Sequence, residues 1–330
     1  MTDSVYNTFS EYLINRYGEK TYKLPIALNP SYIDDNGVTQ SWTCPNRDGS
    51  RGVGGCSFCG EIGAGYENLP AEMSITEQIA ANKAHIVPKY KATKFIPYFQ
   101  NFTNTYMPLE QFAGFLQEAA QAEGVVAVYI ATRPDCVRED YLQVMQDMAR
   151  KYNIDICVEL GLQTVNYHTL DKINRGHSLA EFIDAVLRVK KYGLQTCAHL
   201  ILNLPWDTDR DAREAAHIMS ALRLDQVKLH ALYIVNGTVM AKQYEKGELE
   251  LIGRDEYQRR VILFLRHLSP DIVLQRLIGR APAENTLFSN WSTGWFKIRD
   301  GIIRQMEEQG LRQGDCCDYL NGAALKQFSG

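Results

Sequence analysis

The sequence lacks the features that mark membrane, secreted and strongly nucleic-acid-binding proteins. No apolar run approaches the 18 residues that a membrane-spanning helix needs. The formal net charge is −4, so the composition provides no strongly basic field for a polyanionic partner. A basic start followed by an apolar stretch, which would indicate a secretory signal, is also missing. We therefore expect a cytoplasmic protein whose cysteines are reduced or hold a metal centre.

Histidine is absent where the cysteines gather. Cys44, Cys56 and Cys59 have the spacing C-x11-C-x2-C, with four glycines between the first two and no histidine from residue 42 to residue 82. A disulfide would leave one cysteine over, and a structural zinc site needs four ligands. A four-iron cluster is normally held by four thiolates, so three would leave one iron open. The glycines let the backbone wrap closely around such a centre, although three unrelated buried cysteines remain the simpler alternative.

The residues of this loop resemble those of a known enzyme family. The stretch CPNRDGSRGVGGCSFC, residues 44–59, resembles the cluster loop of radical S-adenosylmethionine (radical SAM) enzymes. Its expanded spacing is similar to that of the YhcC-like family, relatives of the radical SAM subunit of Elongator. The resemblance implies a [4Fe-4S] cluster on Cys44, Cys56 and Cys59 whose open iron binds SAM. It also implies cleavage of SAM to a 5′-deoxyadenosyl radical, hydrogen abstraction from a substrate, and an electron donor such as flavodoxin or ferredoxin.

Beyond the loop, apolar strand-like runs alternate with helix-like segments. This alternation is typical of βαβ units and a parallel sheet, so we predict an α/β fold. Six strands fit the partial (β/α)6 TIM-type barrel that the resemblance implies. The six predicted strands are 22–28, 95–99, 125–132, 154–160, 194–202 and 226–234. We predict an N-terminal helix within 1–21, the barrel over 22–250 with an inserted hairpin at about 29–41, and a C-terminal α/β extension over 251–330 that covers the barrel mouth.

Candidate cofactor residues lie where the predicted strands end, because active sites of such barrels are built from the loops after the strands. By the resemblance, Glu159 and Gln163 would contact the ribose or methionine part of SAM, and Arg175 would pair with its carboxylate. Asn203 and Trp206 stand where the family usually has glycine, which is a departure from the pattern. The full set of predicted SAM contacts is Phe58, Gln100, Asn101, Thr103, Glu159, Gln163, Arg175 and Asn203.

Candidate catalytic and substrate residues come from three further segments. The segment Thr-Arg-Pro-Asp after the third strand resembles the corresponding segment of the Elongator subunit. This resemblance implies that the arginine and aspartate of the segment contact substrate. Lone cysteines are more often small buried residues, and arginines are more often solvated, so plainer interpretations stay open. The predicted catalytic residues are Cys136, Lys228 and His230, and the predicted substrate-binding residues are Arg133, Asp135, Arg276 and Arg280.

The substrate follows only by analogy with the family. Elongator-like enzymes act on the wobble uridine of tRNA, and YhcC-like members are linked to the step from carboxymethylaminomethyl to methylaminomethyl uridine. We therefore expect a tRNA-modifying enzyme with tRNA as its partner, although the acidic balance argues mildly against a large RNA. The alternatives are a radical SAM enzyme that acts on a small molecule or peptide and, more weakly, an iron-sulfur electron-transfer or scaffold protein or a zinc-binding module.

Overall fold

Seven parallel strands form one curled sheet in the computed structural model, which describes residues 4–34, 36–60, 67–282 and 284–328. The hydrogen-bonded order is β1-β4-β5-β6-β7-β8-β10, and every neighbouring pair is parallel. Two small antiparallel pairs, β2–β3 and β9–β11, lie outside this sheet. The strands are β1 Thr21–Ile26, β2 Ser31–Ile33, β3 Thr39–Ser41, β4 Lys94–Phe99, β5 Ala127–Thr132, β6 Asp155–Gln163, β7 Gln195–Ile201, β8 Gln226–His230, β9 Ile234–Val235, β10 Val273–Arg276 and β11 Thr286–Phe288.

Helices connect the successive parallel strands and cover the outer face of the sheet. Capping boxes at Ser74 and Ser178, each with its glutamate three residues later, fix the starts of α2 and α6. The helices are α1 Phe9–Tyr17, α2 Ile75–Tyr90, α3 Leu109–Ala120, α4 Glu139–Tyr152, α5 Tyr167–Lys172, α6 Leu179–Lys191, α7 Asp209–Ala221, α8 Val239–Glu245, α9 Arg254–His267 and α10 Trp295–Glu308.

The two faces of the sheet have different cores. The outer face packs against the helices in a large apolar cluster that includes the fully buried Phe112, Phe182 and Phe264. The inner face, which we call the lumen, has a smaller apolar cluster around Tyr129 and Cys157. Because side chains alternate across a strand, every second residue of the sheet points into this lumen.

Helix α1 closes the lumen at the amino ends of the strands. Leu13 is buried in the luminal cluster, and the Phe9 ring lies 6.0 Å from the Tyr129 ring. The Tyr12 hydroxyl donates to Gln195 at 3.2 Å, and Arg16 pairs with Asp155 at 2.7 Å. Gln195 and Asp155 are the first residues of β7 and β6, so the open end of the lumen is the opposite one, where the strands finish.

Three features differ from, or sharpen, the sequence predictions. The sheet has one strand more than the six we predict, because β10 from the predicted C-terminal extension pairs with β8. The helix that we predict within 1–21 begins at Phe9, because Thr8 caps it. The predicted hairpin is present as β2 and β3, immediately before the cysteine loop. None of the helices among the described residues is long and apolar enough to cross a membrane.

We expect Leu13→Ala to destabilise the protein by about 2–5 kcal/mol, since it removes buried methyl groups from the closed end of the lumen. Chemical denaturation gives the free energy of unfolding. Ile14→Ala is the matched control, because the neighbouring Ile14 is 56% exposed and should change the free energy by less than about 0.5 kcal/mol. Equal losses of unfolding free energy in the two variants would contradict the assignment of α1 as the helix that closes the lumen.

Candidate functional site

The cysteine loop is tied to the segments that follow other strands. The Ser57 amide donates to the Ile173 carbonyl at 2.9 Å, and the Ser57 carbonyl accepts from the Met240 amide at 2.9 Å. Asn174 donates from its side chain to the Gly55 carbonyl at 2.8 Å. Gly55 has a φ of 77°, in the left-handed region that favours glycine. These bonds hold the loop at the open end of the lumen.

Asn46 is the packing centre of this loop. Its side chain is fully buried and donates to the Asn174 carbonyl at 2.6 Å. A Cβ placed on Gly52 or on Gly176 would lie 2.3 Å or 2.4 Å from the Asn46 Oδ1 atom. Glycine is therefore required at both positions, one in the loop and one after α5, for the two segments to meet.

The thiols of the loop interact electrostatically, and two of them lie beside guanidinium groups. Burial raises the pKa of Cys59, and the neighbouring Cys56 and Cys44 raise it further. Arg47 Nη2 lies 3.4 Å from the Cys59 sulfur, and Arg175 Nη1 lies 3.4 Å from the Cys56 sulfur. Nearby cations favour the thiolate, which is the form that binds metal. Three sulfur donors with compensating positive charge fit an iron-sulfur cluster held through three thiolates.

Arg175 links the cysteine loop to the sheet. Its Nε donates to the Gly161 carbonyl at 3.1 Å, and Nη2 donates to the same oxygen. The His177 ring also lies 3.1 Å from that carbonyl oxygen, and burial lowers the pKa of His177 to about 3. Gly161 belongs to β6, so Arg175 spans from the thiols to the luminal edge of this strand.

Below that edge, a buried carboxylate joins several strands. Glu159 is fully buried and accepts hydrogen bonds from Lys23, from Gln275 at 2.7 Å and from Lys228 at 3.3 Å. The His199 Nε2 lies 2.7 Å from the oxygen that Lys228 bonds, whereas Lys23 and Gln275 bond the other oxygen of the carboxylate. Burial alone would raise the pKa of Glu159, but Lys228 and Lys23 hold it well below its usual range. We call these five residues the luminal network.

Two predicted site residues extend this network toward the open end. Arg276 Nη2 lies 2.6 Å from His230 Nδ1, and the His230 ring lies 5.1 Å from the His199 ring. Burial, with the charge of Arg276, holds the pKa of His230 well below its usual range. Burial also lowers the pKa of Lys228 to about 7, and the Lys228 amine lies 2.9 Å from the Tyr98 hydroxyl.

A third group lies after β5. Arg133 is buried and forms a two-bond pair with Asp135 at 2.9 Å and 2.8 Å, and it donates to the Arg175 carbonyl at 2.8 Å. Burial and the charge of Asp135 raise the pKa of Cys136 to about 12, so this thiol is protonated at neutral pH. Cys136 and Asp135 line a cavity of about 650 Å³, together with Trp42, Pro45, Arg51, Tyr106 and Tyr141.

The remaining predicted residues are spread around the open end. Asn203 is buried, accepts from the Leu232 amide at 2.7 Å, and has no partner for its Nδ2 atom within the described residues. Phe58 packs with Trp206 against an apolar cluster below the loop. Arg280 is exposed and lies 3.7 Å from Glu67. Gln100, Asn101 and Thr103 lie in the segment after β4, where Thr103 bonds the Thr43 carbonyl, and Gln163 ends β6 with a φ of 80°.

The structure thus forms two adjoining groups from the predicted residues. Arg175 and Arg133 lie with the cysteine loop, whereas Glu159, Lys228, His230 and Arg276 lie in or beside the luminal network. Sequence reasoning missed Asn46, Lys23 and Gln275. Lys23 alternates with buried Leu24 and Ile26 along β1, as Lys228 alternates with apolar neighbours in the predicted strand 226–234, so this signal was available. The SAM, catalytic and substrate roles of all these residues stay predictions.

Comparison with known proteins gives the family. The radical SAM superfamily model matches residues 48–219, and the radical SAM C-terminal domain model matches residues 224–308. The chain is 34% identical to YtqA of Bacillus subtilis, over 95% of this chain and 93% of that protein. It is 30% identical to YhcC of Escherichia coli, over 93% of this chain and 94% of that protein.

More distant relatives agree with this assignment. The chain is 28% identical to the tRNA uridine(34) acetyltransferase of Methanocaldococcus jannaschii over 191 residues, which are 57% of this chain and 34% of that protein. The solved structure of Elp3 from Methanocaldococcus infernus has the same fold, with a TM-score of 0.66 and 16% identity. That match covers 89% of this chain and 64% of the solved one. The protein belongs to the radical SAM superfamily, in the family that contains YhcC, and is an enzyme that uses a [4Fe-4S] cluster and S-adenosylmethionine.

Proposed function

We propose that this enzyme binds its cluster through Cys44, Cys56 and Cys59 and abstracts a hydrogen atom from a modified wobble uridine of tRNA. The observation that carries the first part is the grouping of three thiols beside Arg47 and Arg175 at the open end of the lumen. When bound, the reduced cluster supplies the electron that cleaves SAM and releases the radical that removes hydrogen.

The residues of the chain would bind and orient the reactants. Arg175 already lies between the Cys56 sulfur and the Gly161 carbonyl, so part of its guanidinium can meet the carboxylate of SAM at the edge of the sheet. Asn203 offers a buried Nδ2 donor after β7 that has no partner among the residues that the structure describes, and such a donor favours a ligand that can accept from it. The covered sheet would keep water away from the radical.

The tRNA substrate is supported by the relatives that share only part of the chain. The protein named tRNA uridine(34) acetyltransferase matches 57% of this chain, and the Elp3 structure shares the fold across most of it. The net charge of −4 gives no general attraction for RNA, so recognition would rest on local contacts at the open end of the lumen.

A small molecule or peptide is the second candidate substrate. The cavity of about 650 Å³ beside Cys136 has the size of a small-molecule site, and Trp42, Tyr106 and Tyr141 give it aromatic walls. Its lining joins Pro45 and Arg51 of the cysteine loop to Asp135 and Cys136 of the segment after β5. This cavity is the observation that favours the alternative.

We expect Cys56→Ala to abolish formation of 5′-deoxyadenosine, since the loss of one of three thiolates leaves the cluster without stable attachment. The measurement is mass spectrometry after anaerobic reconstitution with dithionite and SAM. Cys317→Ala is the matched control, because Cys317 is a free, half-buried cysteine outside the loop and should leave both iron content and product unchanged. Full iron and full product in the Cys56 variant would contradict the assignment of the cluster ligands.

We expect tRNA, and not a metabolite extract, to raise the rate of 5′-deoxyadenosine formation. The tRNA should come from cells that lack this enzyme, so that its substrate nucleoside accumulates, and nucleoside mass spectrometry should show a mass change at the wobble position. RNase-treated tRNA is the control for small contaminants. Stimulation by the metabolite extract alone would replace tRNA with the second candidate.

A further inference from the structure

The luminal network and its neighbour Arg276 contain more positive than negative charge. Lys23, Lys228 and Arg276 face one carboxylate, that of Glu159. Within the described part of the chain, no carboxylate lies within 4.0 Å of the Arg276 guanidinium. Its partners are the His230 ring at 2.6 Å and the Leu229 carbonyl at 3.3 Å. A cation that is partly removed from water without an anionic partner is costly, so this arrangement favours an incoming anion.

The protonation of Lys228 leads to the same conclusion. Burial, together with the charges of Lys23 and Arg276, lowers the pKa of Lys228 to about 7, although the charge of Glu159 acts to raise it. Glu159 is shared between both lysines and His199, so its charge does not balance the three cations. An anion beside Lys228 would favour the ammonium form and strengthen its own binding.

A cation site is the competing interpretation of this region, because donor atoms of Glu159, Cys197 and His199 lie within 4.8 Å of one another. However, the ammonium groups of Lys23 and Lys228 both bond to the same Glu159 carboxylate. A metal ion there would be repelled by two like charges at short distance. The geometry therefore favours an anion on the side of Arg276, not a metal beside Glu159.

The side of the network that carries His230 and Arg276 is its less buried side. Glu159 is fully buried, whereas His230 and Arg276 are only partly buried. A Cβ on Gly279 would lie 2.9 Å from Arg276 Nη2, so glycine at this position leaves room for the guanidinium against His230. Gly161, which accepts from Arg175 beside the Cys56 sulfur, lies two residues beyond Glu159 on β6, a rise of about 7 Å. An anion bound here would lie below the cysteine loop.

We propose that Lys228, His230 and Arg276 form an anion-binding site that holds a carboxylate of the substrate. This inference rests on the proposed function, with the carboxymethylaminomethyl uridine that the family resemblance implies as the substrate, since its C5 side chain carries a carboxylate. The planar guanidinium of Arg276 matches a carboxylate with two parallel hydrogen bonds, and Lys228 adds a point charge behind it. The site selects for substrates with a negative side chain, and a neutral side chain would leave the cations unbalanced.

The first experiment uses acetate as the probe and needs neither RNA nor SAM. The protein has seven histidines, so the ring resonances of His199 and His230 can be assigned by NMR in the anaerobic cluster-loaded protein with single His→Gln variants. We expect acetate, against chloride at equal ionic strength, to give a saturable shift of the His230 resonance. Arg276→Gln should weaken this binding about tenfold or more. Arg254→Gln, which removes a half-exposed arginine paired with Asp255, should leave it unchanged.

The second experiment separates the sources of the carboxylate. Binding and turnover are compared for tRNA that carries 5-carboxymethylaminomethyluridine and for tRNA that carries 5-methylaminomethyluridine, alongside the affinity for SAM. We expect Arg276→Gln to lose about tenfold or more in kcat/KM for the first tRNA only. Binding of the second tRNA and of SAM should stay within about twofold of the wild type, as in Arg254→Gln.

Each other outcome has a definite meaning. The absence of a saturable acetate shift overturns the anion site. Competition between SAM and acetate, or an equal loss of SAM affinity, assigns these cations to the methionine carboxylate of SAM and overturns the substrate assignment. Equal losses for both tRNAs also overturn it. If the wild-type enzyme binds neither tRNA but binds acetate through Arg276, the tRNA function is wrong, whereas the anion site stands with another carboxylate substrate.

Discussion

The buried carboxylate of Glu159 is the interaction on which the interior of the sheet depends. Its partners Lys23, His199, Lys228 and Gln275 lie on β1, β7, β8 and β10, so one side chain of β6 crosslinks strands on both sides of the lumen. Breaking a buried ion pair by removal of one partner typically costs about 3–5 kcal/mol. The same network leaves positive charge facing the open end, where a substrate would enter.

The cysteine loop depends on a different constraint, which is close approach of backbone segments. Asn46 fills the space between Gly52 and Gly176. A side chain at either glycine would collide with the Asn46 amide oxygen. Because Arg175 immediately precedes Gly176, the contact between Asn46 and Gly176 also brings the Arg175 guanidinium to the Cys56 sulfur. Packing and charge around the cysteine loop are therefore both set where these two segments meet.

The alternation of strands and helices was predictable because it is a local property. The apolar runs and the capping boxes at Ser74 and Ser178 depend only on residues that are close together in the sequence. The observed strands and helices agree closely with them. The seventh strand was harder to place, since Val273–Arg276 is short and its pairing with β8 spans a long stretch of chain. Three cysteines with glycines between them indicated a metal centre, because ligand spacing is also local.

Contacts across the lumen could not be predicted in the same way. Nothing in the sequence around Gln275 or Lys23 shows that both meet Glu159, because these residues are separated by more than a hundred positions along the chain. Parallel strands bring distant residues to one face only after the sheet has curled. The sequence by itself determined the class of fold, the cysteine spacing that indicates a metal centre, and the strand ends that carry polar residues. Only the tertiary structure decided which of those residues share a buried, charged interior, since that depends on strand order and register.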